Sequence, residues 1–121
     1  MDREAAIQLF DQVLDVWSGG NPSRIRELVT RDYQGHMLHL ADGDRTADTY
    51  GDWIHRFRKS QPDVEFQVVA QGFDGDRLWS QLAATGSDGR TAYGMNTSRF
   101  RDGLLAEEWA LWSEWLGNSP I

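Results

Sequence analysis

Apolar positions recur along the chain with two different periods, and the change from one to the other divides the molecule. Ala6, Leu9, Phe10, Val13 and Trp17 fall three or four residues apart, the stripe of an amphipathic helix. Ser18-Gly19-Gly20 stops it. Asn21-Pro22 then opens a short second helix, because Asn caps well and proline at the first helical position gives up an N–H that has no partner there. Ile25, Leu28 and Val29 supply its buried side. Tyr33 to Leu40 reads as a strand, ended by Ala41-Asp42-Gly43-Asp44. Thr46 or Asp48 can cap a third helix with the stripe Tyr50, Trp53, Ile54 and Phe57. Gln61-Pro62 closes it, since the residue before a proline avoids the helical region.

From Val64 the period becomes two. Val64, Phe66, Val68 and Ala70 alternate with polar or less apolar neighbours, the pattern of a strand with one face inward. Asp74-Gly75-Asp76, Ser87-Asp88-Gly89-Arg90 and Arg101-Asp102-Gly103 each place a glycine between two strand-like runs, which is hairpin chemistry. Four strands and three hairpins make an antiparallel meander from Val64 to about Trp115. The order of elements predicts an α+β fold, a cone-shaped curved antiparallel sheet packed with three N-terminal helices around an internal pocket. The two flanking helices lie near residues 4–18 and 46–59. No repeat, low-complexity tract or linker interrupts the 121 residues, so the chain reads as one domain, 1–121.

Composition narrows the function classes. The net charge of −7 disfavours nucleic acid, because phosphate binding needs a basic surface and the basic residues here are scattered among acidic ones. No apolar run approaches the ~20 residues that span a bilayer, and Met1-Asp2-Arg3-Glu4 does not begin a signal peptide. A cytoplasmic location is the expectation. The absence of cysteine removes disulfides, thiolate zinc sites and thiol nucleophiles.

Four local patterns carry a resemblance over nearly the whole chain. They are Asp32-Tyr33-Gln34-Gly35-His36, Pro62-Asp63 before the first long strand, Asn96-x-x-Arg99-Phe100-x-Asp102-Gly103, and Glu107-x-Trp109. In this order the chain resembles the SnoaL-like polyketide cyclase branch of the nuclear transport factor 2-like superfamily. That superfamily includes ketosteroid isomerase, scytalone dehydratase and limonene epoxide hydrolase, as well as members that only bind or dimerise, so fold alone does not settle activity.

The resemblance directs attention to particular side chains. His36 matches the histidine that follows the aspartate-aromatic pair in such proteins, and an imidazole titrates where it can exchange protons with a substrate. The alternative is a histidine hydrogen-bonded to a nearby loop or helix. His39, an odd number of residues away, falls on the opposite strand face, so the two make a poor chelating pair, and no metal site is expected. His55 lies opposite its helix's apolar stripe. Period-two counting puts Leu105, Glu107, Trp109, Leu111 and Ser113 on one face, which the resemblance implies is the cavity face. A carboxylate there among Leu and Trp would have a raised pKa suited to acid–base work. The alternative for Glu107 is a structural carboxylate paired with an arginine such as Arg99. Asn96 shares a face with Phe100 and could orient a substrate carbonyl or tie strands together. Tyr33 could donate a hydrogen bond, and Trp53 and Phe57, on the helix that closes the cone, are candidate substrate contacts with Trp109, Leu111 and Ser113.

The pattern departs from the family at Ser113, where SnoaL-like cyclases carry the acidic residue proposed as base. A serine hydroxyl without an activating partner cannot take that role near neutral pH. The expected function is a small-molecule pocket protein for an apolar oxygenated ligand of polyketide, steroid or terpenoid type. One reading is a cofactor-independent cyclase, isomerase or lyase using His36, Glu107 and Asn96; the others are a non-catalytic binding pocket and a dimerisation module. Six tryptophans, with Trp79, Trp112 and Trp115 read as outward and Trp109 and Trp53 as pocket walls, point to a homodimer that covers an aromatic sheet face.

Overall fold

The computed structural model describes residues 1–117. Helix α1 spans Arg3–Ser18 and starts where the Asp2 carboxylate accepts the backbone N–H of Ala5 at 2.8 Å, the usual N-cap device. Ala6, Leu9, Phe10, Val13 and Val16 are its buried face. The second helix is a 3₁₀ turn, Pro22–Glu27, with the Asn21 side chain accepting the N–H of Ser23. Six strands and one further helix follow: β1 Val29–Met37, β2 Asp44–Thr46, α2 Tyr50–Ser60, β3 Glu65–Asp74, β4 Arg77–Thr85, β5 Thr91–Arg101 and β6 Leu104–Trp112. Among the described residues no helix is long and apolar enough to cross a membrane.

The strands form one curved sheet in the order β2-β1-β6-β5-β4-β3. The expected meander is present as β3 to β6. The sheet as a whole is mixed rather than antiparallel, because β1 runs parallel to β6, and such a pairing needs a long crossover. Strand β1 stops at Met37 rather than Leu40 and β6 at Trp112 rather than about Trp115, and two element starts also differ from the periodicity. Val29 belongs to β1 and not to the second helix, since β1 starts pairing there, opposite Leu105. Helix α2 begins at Tyr50 rather than near 46, because Asp44–Thr46 pairs with Gln34–His36 as a short edge strand.

Within the meander two β-bulges decide which side chains face inward. In β3, Val68 pairs with Leu82 and Ala70 with Gln81, so one extra residue enters at Val69. In β6, Leu105 pairs with Phe100 and Glu107 with Arg99, so Ala106 is the extra residue. A bulge bends the strand and shifts the alternation by one. Ala70 therefore turns outward, with Gln71 and Phe73 inside. Beyond Ala106 the inward set is Glu108, Ala110 and Trp112, while Glu107, Trp109 and Leu111 point to the outer face. The two helices cover the inner face, where Phe10, Val13, Tyr50, Ile54, Leu78 and Leu105 are nearly or fully buried. Each such side chain contributes roughly 1.5–3 kcal/mol of burial.

Candidate functional site

Between the helices and the concave face lies a cavity of about 450 Å³, within the ordinary range for a small-molecule site. Its walls are mostly apolar and aromatic: Phe10 and Trp17 from α1, Trp53 and Phe57 from α2, Phe66 from β3, Trp112 from β6, and Trp115 beyond it. Trp112 can fold inward because Gly94 stands opposite it. A Cβ at position 94 would come within 2.5 Å of the indole.

The buried end of the cavity is polar. Glu108, 2% exposed, accepts three hydrogen bonds on Oε1: from Tyr33 Oη at 2.5 Å, Tyr50 Oη at 2.7 Å and Arg45 Nη2 at 3.0 Å. Its Oε2 accepts only a longer bond, from Asn96 Nδ2 at 3.3 Å. Arg45 Nε also donates to Tyr33 Oη, and the guanidinium carbon lies 4.3 Å from the centre of the Tyr50 ring. Trp17 Nε1 donates to Tyr50 Oη, and Ser98 Oγ to Asn96 Oδ1. Gly35 makes room for this cluster, since a Cβ there would meet Arg45 Nε at 2.8 Å.

Electrostatics fix the charge states. Burial acts to raise the Glu108 pKa, but the Arg45 charge and the hydrogen bonds from Tyr33, Tyr50 and Arg45 outweigh it and hold the carboxyl below its ordinary value. Burial and the neighbouring Glu108 charge push both tyrosines up. Burial opposes the Arg45 charge, yet the Tyr50, Glu108 and Tyr33 oxygens more than compensate. At neutral pH the cluster is one buried ion pair braced by two neutral phenols.

The residues singled out from sequence divide between the two faces. Asn96, Trp53, Phe57 and Ser113 line the cavity, and Tyr33 lies under it as a Glu108 donor. Ser113 Oγ is occupied with backbone, accepting from Tyr93 N and donating to Glu114 O. His36, Glu107, Trp109 and Leu111 are outside the lining. The count from Leu105 put the last three inward, and the bulge at Ala106 reverses it. Trp112 and Trp115, read as outward, are cavity walls for the same reason or through the return of the chain at the Thr91–Leu116 bridge. Trp79 is outward and half exposed.

On the outer face His36 sits between two carboxylates, with Nδ1 2.9 Å from Asp44 Oδ1 and Nε2 2.8 Å from Glu107 Oε2. Glu107 also pairs with Arg99 at 3.2 Å, and the imidazole stacks on Trp109. The hydrogen bond to Glu107, then that to Asp44, raises the His36 pKa. The hydrogen bond from His36, aided by Arg99, lowers that of Glu107. Among the described residues no group of three His, Cys, Asp or Glu side chains converges as a metal site would require.

Arg45, Tyr50 and Glu108 are the members that sequence reasoning missed as functional. One signal was available. Glu107 and Glu108 are consecutive on a central strand, so alternation must turn one of them inward whatever the phase. Nothing comparable marks Arg45, a polar residue in a run that reads as a turn.

The family model described as SnoaL-like domain matches residues 10–108. No curated protein matches the chain in sequence. Among solved structures it is similar to IdmH, a candidate polyketide cyclase from Streptomyces antibioticus, at 20% identity over 87% of this chain and 89% of that one, with a TM-score of 0.75. A candidate polyketide cyclase from Bacillus cereus ATCC 10987 is 18% identical over 93% and 78%, TM-score 0.78. A candidate ketosteroid isomerase from Kribbella flavida DSM 17836 is 18% identical over 98% and 84%, TM-score 0.73. At these identities the likeness is one of fold.

Proposed function

The chain belongs to the SnoaL-like domain family, and from that premise we propose that it takes an apolar, oxygenated small molecule into the cavity and moves a proton on it, with Glu108 as acceptor. One observation carries this reading. Among the described residues that line the cavity Glu108 is the only carboxylate, and its two oxygens are treated differently. Oε1 is saturated by three donors, whereas Oε2 holds a single 3.3 Å bond and keeps a lone pair for a substrate proton. The role goes to Glu108 and not to His36 because His36 does not line the cavity.

The lowered pKa limits the substrate. A weak base removes a proton at a useful rate only when the resulting carbanion is well stabilised, since proton-transfer efficiency follows the match of acid and base strengths. The substrate class is therefore a carbon acid whose C–H lies beside a carbonyl and a second acidifying group, a further carbonyl or an aromatic ring. Polycarbonyl and fused-ring molecules fit that description and the aromatic walls. The candidate polyketide cyclase and ketosteroid isomerase descriptions of similar structures agree with it.

The test is deuterium uptake from solvent at the benzylic carbon of 2-tetralone, followed by NMR. The protein should accelerate it, and folded Glu108→Gln should lose about 10²–10⁴-fold of the acceleration, the usual worth of a general base, while still quenching tryptophan fluorescence on binding. Binding without acceleration in the unmodified protein would reduce the function to ligand carriage. That second reading is favoured by the three donors on Oε1, which anchor Glu108 as a structural group would be anchored.

The outer face supports a homodimer. Trp79, Tyr93, Met95 and Leu111 are each more than half exposed, and Met95 pairs directly with Leu111 across β5 and β6. An apolar sheet face of this kind is stable in water when a second copy covers it.

A further inference from the structure

The polar end of the cavity contains one unmet demand. Arg45 is 4% exposed and uses two corners of its guanidinium, Nε on Tyr33 and Nη2 on Glu108. Its third corner, Nη1, is buried and hydrogen-bonded to no group among the described residues. Buried donors without partners are rare and destabilising, by about 1–3 kcal/mol and more for charged groups. Aromatic rings lie near this guanidinium, Tyr50 at 4.3 Å and Trp17 at 5.7 Å from its carbon, and neither ring carbon offers a lone pair in the plane of the fork. A second observation points the same way. Although the chain is acidic overall, the charged and titratable side chains lining its cavity, apart from the neutral Tyr50, are Arg45, Arg56, His39 and Glu108. With Glu108 committed to Arg45, the one carboxylate of the lining is already neutralised, and the exposed Arg56 leaves a positive charge at the mouth.

We infer that the ligand carries a terminal oxygen that is anionic, or becomes so during reaction, and that this oxygen seats on Arg45 Nη1. The fitting chemistry is an apolar ring system ending in a carboxylate, a phenolate or the enolate of a ketone. The inference rests on the small-molecule reading of the cavity and extends it. A planar guanidinium already fixed at two corners offers its third in a set direction, so the oxygen end of the ligand is oriented while the rings fill the aromatic walls. Nη1 is screened from solvent, so the oxygen reaches it by displacing side-chain atoms now packed there. The bond it makes is then dry and correspondingly strong. In the enolisation chemistry proposed above, no added group is needed: the proton passes from carbon to Glu108 Oε2, the C–H electron pair becomes the enolate, and the negative oxygen rests on Arg45.

The probes are 2-naphthoate and 2-methylnaphthalene, equal in ring system and different in the terminal oxygen. Calorimetry or tryptophan quenching should give 2-naphthoate about 10- to 100-fold tighter binding, the range of a hydrogen bond to a charged group. Arg45→Lys should lose that preference and keep the affinity for 2-methylnaphthalene. If Arg45→Lys does not fold, ¹⁵N spectra of the unmodified protein decide: the Arg45 Nη1 resonance should move with 2-naphthoate and stay with 2-methylnaphthalene. Equal affinities would overturn the inference while leaving the cavity reading intact. A preference that survives Arg45→Lys and vanishes in Arg56→Gln would overturn it too, assigning the anchor to the mouth. If neither probe binds, the small-molecule reading falls and this inference with it. Naphthoate binding with no proton exchange on 2-tetralone would leave this inference standing and remove only the catalytic reading.

Discussion

Arg45→Met deletes one charge of an ion pair whose two side chains are each 3% exposed. At the 3.0 Å separation of Arg45 Nη2 and Glu108 Oε1, two unit charges attract by roughly 5 kcal/mol at an effective dielectric of about 20. The contact with the Tyr50 ring adds up to about 2 kcal/mol when dry. Against these stands the desolvation of the arginine, several kcal/mol, which Met does not incur. The decisive term is the partner left behind. Glu108 becomes a buried carboxylate without its counter-charge, and breaking a buried pair from one side costs about 3–5 kcal/mol.

The same substitution inverts a pH dependence. In the unmodified protein the folded Glu108 pKa is depressed, so its contribution is present above the unfolded value and is lost as pH falls through the folded one. In Arg45→Met, burial loses its largest opponent and the folded pKa rises above the unfolded value. The variant is then penalised at neutral pH and recovers on acidification, by up to about 1.4 kcal/mol per pH unit, because protonation removes the buried charge. Urea unfolding followed by tryptophan fluorescence, at one protein concentration and at pH values from about 7.5 to about 5.5, measures both effects. The stability gap should be about 3–5 kcal/mol at the upper end and should narrow towards the lower. A gap below about 1 kcal/mol, or one that does not change with pH, would refute the reasoning.

Two further outcomes follow from the outer face. Leu111→Lys puts a charge beside Met95 on the apolar sheet face; light scattering should show a dimer at micromolar concentration for the unmodified protein and a monomer for the variant, and two monomers would remove the dimer proposal. His36 has a raised folded pKa, so its pairing with Glu107 and Asp44 stabilises fully below the unfolded value near 6.5 and is lost as pH rises through the folded one. His36→Gln should abolish that alkaline decline and leave 2-naphthoate affinity unchanged, and a loss of affinity would return His36 to the cavity's chemistry.

Local sequence patterns determined the two long helices, the change from helix to meander after Pro62, the three glycine turns and the common face of Asn96 and Phe100 on β5. These are local properties, since a stripe at three- and four-residue spacing or an alternation of two needs no knowledge of neighbouring strands. The four short patterns likewise marked the family that the match over residues 10–108 bears out. The composition of the site was legible only in part. One of Glu107 and Glu108 had to face inward, but which one depended on the extra residue at Ala106, opposite the step from Arg99 to Phe100. A bulge is a property of two strands in register, and a single strand's sequence does not encode it. The parallel pairing of β1 with β6 was invisible for the same reason, as was the burial of Arg45 on a three-residue edge strand. Only the tertiary structure could bring a charge from that strand onto Glu108 and two tyrosines, because burying an arginine is favourable only where distant residues already supply its partners.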